Sequence, residues 1–95
     1  MLTVFIEYKL DPAKRSEGIR LLSDMEARMT ALGASQYRCW EGFDQPGLFV
    51  EAFDVEGVEQ YERIKEARLG DKPFCDCVAG GASKLHIWAF RSASW

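Results

Sequence analysis

Residues 2–12 read LTVFIEYKLDP. Along this stretch the apolar residues Leu2, Val4, Ile6 and Tyr8 alternate with Thr3, Phe5, Glu7 and Lys9. A period of two is typical of a β-strand that is covered on one face. Asp11 can then accept a backbone N–H at the start of a helix, and Pro12 suits the first helical position because it has no N–H to donate. The stretch therefore predicts a strand followed at once by a helix.

The helix that begins at Pro12 is expected to continue to Leu32. Apolar residues recur every three or four positions here, which is the spacing of a helix with one buried side. Gly33 supplies a left-handed end, because glycine adopts positive φ without steric cost. The predicted inward side consists of Ile19, Leu22, Met25, Met29 and Leu32.

The rest of the chain predicts a hairpin, a second helix and a last strand. Residues 44–47 read DQPG, a composition that favours a turn between two strands. Asp54 is expected to cap the second helix, and a short helical turn in the loop after it would place Phe74 beside Val78. The predicted elements are strands over 35–43, 48–53 and 84–90, a helix ending near Leu69 with an inward side of Val58, Tyr61 and Ile64, and a loop over 71–83.

This order of elements predicts an α+β fold of the ferredoxin-like βαββαβ type. Right-handed crossovers would place two helices on one face of a four-stranded antiparallel sheet. The 95 residues are enough for one hydrophobic core and too few for two, so we expect a single domain over 1–95.

Alternation along the strands divides their residues between two sheet faces. The face predicted to lie under the helices carries Val4, Ile6, Tyr8, Leu48, Val50, Ala52, Leu85, Ile87 and Ala89. The opposite face carries Phe5, Glu7, Arg38, Trp40, Phe49, Glu51, Phe53, His86, Trp88 and Phe90. A soluble monomer rarely exposes so large an aromatic surface. We therefore predict a homodimer whose interface contains Phe5, Arg38, Trp40, Phe49, Trp88 and Phe90.

Charge and cysteine content restrict the class of protein. The twelve Lys and Arg are dispersed among fifteen acidic residues, whereas nucleic-acid binding needs a concentrated basic face. Glu7 and Lys9 interrupt the N-terminal stretch, which therefore predicts neither a signal peptide nor a membrane span. Three cysteines without a secretion signal favour a cytoplasmic location and reduced thiols. We expect neither nucleic acid nor a membrane as a partner.

Three stretches carry a family resemblance: VFIEYKLDP (4–12), GLFVEAFDVEGVEQYE (47–62) and KLHIWAF (84–90). Together the chain resembles the dimeric α+β barrel superfamily, which includes antibiotic-biosynthesis-monooxygenase-like domains. The resemblance implies that two ferredoxin-like subunits pack sheet against sheet, with a small ligand held between sheet and helices of each subunit. Members include cofactor-free oxygenases, haem-degrading enzymes and lactone isomerases, so the resemblance implies architecture more than chemistry.

Neither a cofactor nor a metal is expected. The haem-degrading relatives need an axial histidine on the second helical segment, and residues 56–78 contain none. Cys75 and Cys77 are two thiols without further Cys or His nearby, whereas a structural zinc usually takes four ligands. We favour a buried or idle pair of thiols over a metal site, and we expect Cys39 to point toward the helices.

Candidates for proton transfer lie on the predicted aromatic face. His86 is the only histidine, and it is either a general base or a structural partner of Glu7 or Glu51. Glu7 and Glu51 could lie together as an acid/base pair, or Arg38 could neutralise them in an ion pair. We favour the structural interpretation of each.

A ligand pocket is the second candidate site, between the sheet and the helices. Its predicted lining is Tyr8, Tyr37, Tyr61, Met25 and Met29, with tyrosine hydroxyls orienting a small apolar or aromatic ligand. The alternative is a filled core. Two functions follow: a homodimer that binds a small, largely apolar molecule, with cofactor-independent monooxygenase or isomerase activity, or a noncatalytic binding or assembly module whose aromatic face serves only dimerisation.

Overall fold

Four strands form one antiparallel sheet in the order β2-β3-β1-β4. A computed structural model describes residues 1–95. The strands are β1 (Leu2–Lys9), β2 (Ser35–Glu41), β3 (Leu48–Val55) and β4 (His86–Phe90). The central strand β1 pairs with β3 along its whole length, and all helices pack on one face. The predicted ferredoxin-like α+β fold is confirmed.

The predicted first helix is present but divided. Asp11 accepts a hydrogen bond from the Ala13 N–H (2.9 Å) over a short 3-10 turn, and α1 (Arg15–Leu22) and α2 (Met25–Ala31) follow. The Ser23 hydroxyl donates to the Arg20 carbonyl at the break between them, and such bonds compete with the regular helix.

The second helical segment also consists of two helices. It contains α3 (Val58–Leu69) and α4 (Lys72–Cys75), the latter being the predicted helical turn in the loop. Phe74 and Val78 are both buried and belong to the same hydrophobic core. No helix is both long and apolar enough to cross a membrane.

The prediction that Asp54 caps the second helix is wrong. Strand β3 continues to Val55, and Asp54 lies opposite Thr3 within the sheet. The Thr3 hydroxyl donates to the Asp54 carboxylate at 2.8 Å, so the side chain is used across the strands. Helix α3 begins only after Gly57.

The core lies between the sheet and the helices. Val4, Ile6, Met25, Met29 and Ile64 are completely buried in it. Two residues predicted to point inward do not: Ile19 is 40% exposed and Val58 is 65% exposed. Helix α1 instead packs through Gly18, where an added Cβ would lie 3.0 Å from the Leu10 methyl carbons. Successive residues of a helix point about 100° apart, so this contact turns Ile19 outward.

Strand β3 faces the opposite way from the prediction. On the neighbouring strand β1, Tyr8 lies opposite Phe49, Ile6 opposite Glu51 and Val4 opposite Phe53. Residues that lie opposite each other share a face of the sheet. Phe49, Glu51 and Phe53 are therefore buried under the helices. Assigning Phe49 to the interface was wrong, and so was assigning Glu51 and Phe53 to the aromatic face. The prediction that Leu48, Val50 and Ala52 lie under the helices was wrong for the same reason. Leu48, Val50 and Ala52 are equally apolar, so hydrophobicity does not distinguish the two orientations.

The remaining members of the predicted aromatic face do lie together on the side away from the helices. Phe5 pairs with Trp88 and Glu7 with His86, and β2 adds two residues beside β3. We call this surface the outer face; it contains Phe5, Glu7, Arg38, Trp40, Val50, His86, Trp88 and Phe90.

The turn at Gly33 gives a test of the fold. Gly33 has φ +104°, so Gly33→Ala should lower the free energy of unfolding by about 1–2 kcal/mol, the usual cost of a left-handed alanine. The matched control is Gly70→Ala, because Gly70 also ends a helix but has right-handed φ of −89°. Urea unfolding of both variants measures the difference. Equal stability of the two variants would contradict the left-handed conformation of Gly33.

Candidate functional site

A buried ion pair joins the middle of β3 to the last turn of α3. The Arg68 guanidinium donates two hydrogen bonds to the Glu51 carboxylate, at 2.8 and 2.7 Å. Both side chains have 0% exposure. A bidentate bond of this kind fixes both position and orientation of its partners.

Two tyrosine hydroxyls complete the surroundings of Glu51. Tyr8 of β1 donates to one carboxylate oxygen at 2.7 Å, and Tyr37 of β2 donates to the other at 2.6 Å. The carboxylate thus accepts four hydrogen bonds from three elements. We call Tyr8, Tyr37, Glu51 and Arg68 the buried cluster.

The buried cluster is not a centre for proton exchange. Burial alone would raise the pKa of Glu51, but the Arg68 charge and the hydrogen bonds hold that pKa below its ordinary value. Burial and the neighbouring Glu51 charge raise the pKa of Tyr8 and of Tyr37 well above the usual value for tyrosine. The carboxylate therefore stays ionised and both phenols stay protonated near neutral pH.

The space beside the buried cluster is filled by protein side chains. Met25 and Met29 are completely buried, and the Arg68 guanidinium lies 5.0 Å from the centre of the Phe74 ring. Tyr61 is partly buried, with the Lys65 ammonium 5.7 Å from its ring centre. None of the chain's four depressions is lined by Tyr37, Tyr61, Met25 or Met29. Ligand binding on the helix side stays a prediction, without a cavity to hold the molecule.

The outer face, in contrast, carries an open apolar depression of about 370 Å³. Its lining is Phe5, Glu7, Val50, Trp88 and Phe90, and we call it the apolar depression. The Phe5 and Phe90 rings meet edge to face with centroids 5.6 Å apart. Trp88 is 44% exposed and Phe90 is 54% exposed, so apolar surface is left free in a single chain.

A second depression, of about 480 Å³, adjoins the first at Glu7. We call it the basic depression; its lining is Glu7, Tyr8, Lys9, Leu48, Ala79, Gly80, Lys84 and His86. His86 lies opposite Glu7 across β1 and β4, and its ring stacks on Trp88 at 5.8 Å. An imidazole next to a carboxylate can accept a proton and keep the resulting cation close to a negative charge.

The predicted association of Glu7 with Glu51 is wrong, because the two carboxylates lie on opposite faces of the sheet. Arg38 does not neutralise either of them. Its Nε donates to the Gln36 carbonyl at 3.3 Å, and its guanidinium lies 5.7 Å from the Trp40 ring centre.

The largest depression, of about 660 Å³, lies at the β2–β3 hairpin. Its charges already satisfy each other, since Arg15 donates two hydrogen bonds to Glu41 at 2.7 and 2.8 Å. These bonds and the Gly47 N–H lower the pKa of Glu41 to about 2. Although this depression is the largest, Arg15 and Glu41 bond to each other in it and are not free to bind a ligand.

All three cysteines are free. Cys75 and Cys77 are buried, with Sγ atoms 3.5 Å from the carbonyls of Arg68 and Pro73. Cys39 pairs with Glu51 and so lies on the helix-facing side, but it is exposed at the edge strand β2. Burial raises the pKa of the Cys75 and Cys77 thiols.

Comparison with solved structures identifies the fold. A protein of Bordetella bronchiseptica, provisionally assigned as an antibiotic biosynthesis monooxygenase, aligns over 98% of this chain and 97% of its own, with 9% identity and a TM-score of 0.75. A conserved protein of Methanosarcina mazei Go1 aligns over 97% and 92%, with 14% identity and a TM-score of 0.77. A structure described as antibiotic biosynthesis monooxygenase aligns over 99% and 100%, with 12% identity and a TM-score of 0.67.

This chain has the antibiotic-biosynthesis-monooxygenase-like fold. The predicted resemblance is thereby confirmed at the level of architecture. No sequence-family model matches the chain, and no curated protein sequence matches it. Likeness at such low identity describes the fold and leaves the activity to the residues of the site.

Sequence interpretation missed Arg68. It follows Ile64 by four residues, so it lies on the inward side of α3 that Tyr61 and Ile64 already define. A buried arginine on that side needs an acidic partner, because an unpaired charge in the core is strongly destabilising. Glu51, in the middle of a strongly apolar strand, is the residue that meets this need.

The buried cluster predicts a marked asymmetry between single and double variants. Arg68→Met should lower the free energy of unfolding by about 3–5 kcal/mol, because it leaves the Glu51 carboxylate buried without its counter-ion. The double variant Glu51→Gln/Arg68→Met should recover much of this loss. Urea unfolding at neutral pH measures both. A double variant less stable than Arg68→Met would rule out an unpaired charge as the cause.

Proposed function

We propose that this chain forms a homodimer in which two outer faces meet and hold a small, largely apolar molecule between them. The observation that carries the proposal is the apolar depression, which has a carboxylate at its edge. Trp40 is 49% exposed and lies on the same surface as Trp88 and Phe90. Pairing of two such surfaces removes aromatic area from water and encloses the depression.

The helix side offers less support for a ligand site. Its interior is packed. The Glu51 carboxylate, both tyrosine hydroxyls and the two terminal nitrogens of Arg68 bond to one another, and Arg68 Nε alone is buried without a hydrogen-bond partner. A ligand there would have to displace core side chains, whereas a ligand on the outer face fills existing space. Dimerisation would then complete the site instead of competing with it.

Glu7 and His86 give the proposed site its chemistry. His86 takes a proton from a C–H or O–H bond of the bound molecule, and the Glu7 carboxylate stabilises the imidazolium that forms. Isomerisation can begin with proton removal of this kind. So can cofactor-independent oxygenation, in which the resulting carbanion supplies the electrons that reduce dioxygen, one oxygen atom entering the product and the other leaving as water. The proposed activity is therefore that of a cofactor-independent monooxygenase or isomerase. Three free cysteines support a cytoplasmic location.

A noncatalytic assembly module is the second candidate. It is favoured by the open, shallow form of the apolar depression, which a partner's aromatic side chains could fill completely. The two candidates agree on the dimer and differ on whether space for a ligand remains.

Dimerisation is the first prediction of this proposal. Trp88→Glu should convert a dimer into a monomer, because it places an unpaired charge in the centre of the interface. Trp95→Glu is the matched control, since Trp95 is fully exposed in the C-terminal segment. Light scattering at micromolar concentration gives the masses. A wild-type monomer, or an intact dimer of Trp88→Glu, would disprove the interface.

Naphthylacetone, a neutral aromatic ketone, is the probe for both ligand binding and proton transfer. Calorimetry should show binding to the wild-type dimer and about tenfold weaker binding to Phe90→Ala, because part of an apolar contact is lost. Phe43→Ala is the control, since Phe43 is 99% exposed on the hairpin. In deuterated water, mass spectrometry should show that the protein accelerates the replacement of hydrogen by deuterium at the carbon atoms next to the ketone's carbonyl group.

His86→Gln separates the two candidate functions. It should keep the ketone affinity and lose the acceleration of exchange, because the amide cannot act as the base. Absence of ketone binding by an intact wild-type dimer would favour the assembly module. Exchange that is unchanged in His86→Gln would remove His86 from the proposed mechanism.

A further inference from the structure

Two lysines of the basic depression have no carboxylate partner. Lys9 and Lys84 both line it, and neither takes part in any of the chain's ion pairs. Six of the other ten lysines and arginines form an ion pair, among them Arg15, Arg28 and Lys72. In a chain of net charge −3, two lysines against one carboxylate, Glu7, give this depression a local excess of positive charge.

The backbone leaves room for one of these lysines close to the loop. Gly80 has φ +86°, and a Cβ added there would lie only 2.5 Å from Lys84 Cγ. Only glycine therefore allows the Lys84 stem to lie across this loop. Lys9 reaches the same depression from the end of β1, two residues after Glu7 and on the same face.

The two depressions together have the form of one site with unlike ends. One end is lined by the rings of Phe5, Trp88 and Phe90, and the other is lined by Lys9 and Lys84. Glu7 borders both ends, and His86 lies in the basic depression with its ring against Trp88. A molecule long enough to span them would place its central atoms beside Glu7 and His86.

We propose that the ligand of the outer face is an aromatic carboxylate. Its ring lies in the apolar depression, and its carboxylate is bound by Lys9 and Lys84. The charges are complementary, since Glu7 is the only acidic residue of the basic depression and lies at the border with the apolar one. This inference rests on the proposed function, because it names the class of molecule bound at the same site.

Naphthylacetate and naphthylacetone provide a matched pair of probes, equal in shape and different in charge. Calorimetry on the wild-type protein should give about tenfold tighter binding of the acetate, as expected for hydrogen bonds to a charged group. Lys9→Gln and Lys84→Gln should each remove most of this preference and leave ketone binding unchanged. Lys65→Gln is the control, because Lys65 lies on α3 over Tyr61.

The outcomes separate this inference from the function on which it rests. Equal affinity of the wild-type protein for the two probes would overturn the proposal that the ligand is an aromatic carboxylate, and so would loss of acetate binding in Lys65→Gln alone. In either case, binding of the ketone would still support the outer-face site. Failure of both probes to bind would overturn the site itself. A preference for the acetate that disappears in both lysine variants would support the inference.

Discussion

The buried bond between Glu51 and Arg68 is the constraint on which the rest of the structure depends. A charged carboxylate under the helices is tolerable only with a counter-ion and with its lone pairs occupied. Arg68 therefore fixes the end of α3 above the middle of β3. Tyr8 and Tyr37 attach the neighbouring strands to the same carboxylate. One carboxylate thereby holds three strands and a helix in register.

This constraint also decides which residues remain for the outer face. Because Glu51 points inward, Phe49 and Phe53 point inward with it, and Val50 is left on the other side. The helix side becomes a closed interior in which Arg68 Nε is the one buried side-chain polar atom without a hydrogen-bond partner. The outer face keeps the aromatic residues of β1 and β4 and the neighbouring Glu7 and His86, which are free of hydrogen bonds to the buried cluster. Closure of one side is thus the physical reason for placing the proposed site on the other.

Much of this architecture could be predicted from local patterns. Alternation in β1 and β4, the DQPG turn and the left-handed end at Gly33 all concern residues close together in the chain. The orientation of β3 could not be predicted in the same way, because both of its sides are apolar. Its charged residue suggested exposure, whereas its partner Arg68 lies 17 positions further along the chain. The outer face was predicted correctly for β1, β2 and β4 and wrongly for β3, where Phe49, Glu51 and Phe53 lie under the helices and Leu48, Val50 and Ala52 lie on the other side.

Methyl NMR during addition of naphthylacetone tests most directly whether the functional face is the outer one. Val50 lines the apolar depression, whereas Met25 and Met29 lie in the core between sheet and helices. The proposed site predicts saturable shifts of the Val50 methyl signals with the two methionine methyl signals unchanged. Saturable shifts of Met25 and Met29 with an unperturbed Val50 would contradict it and place the ligand on the helix side.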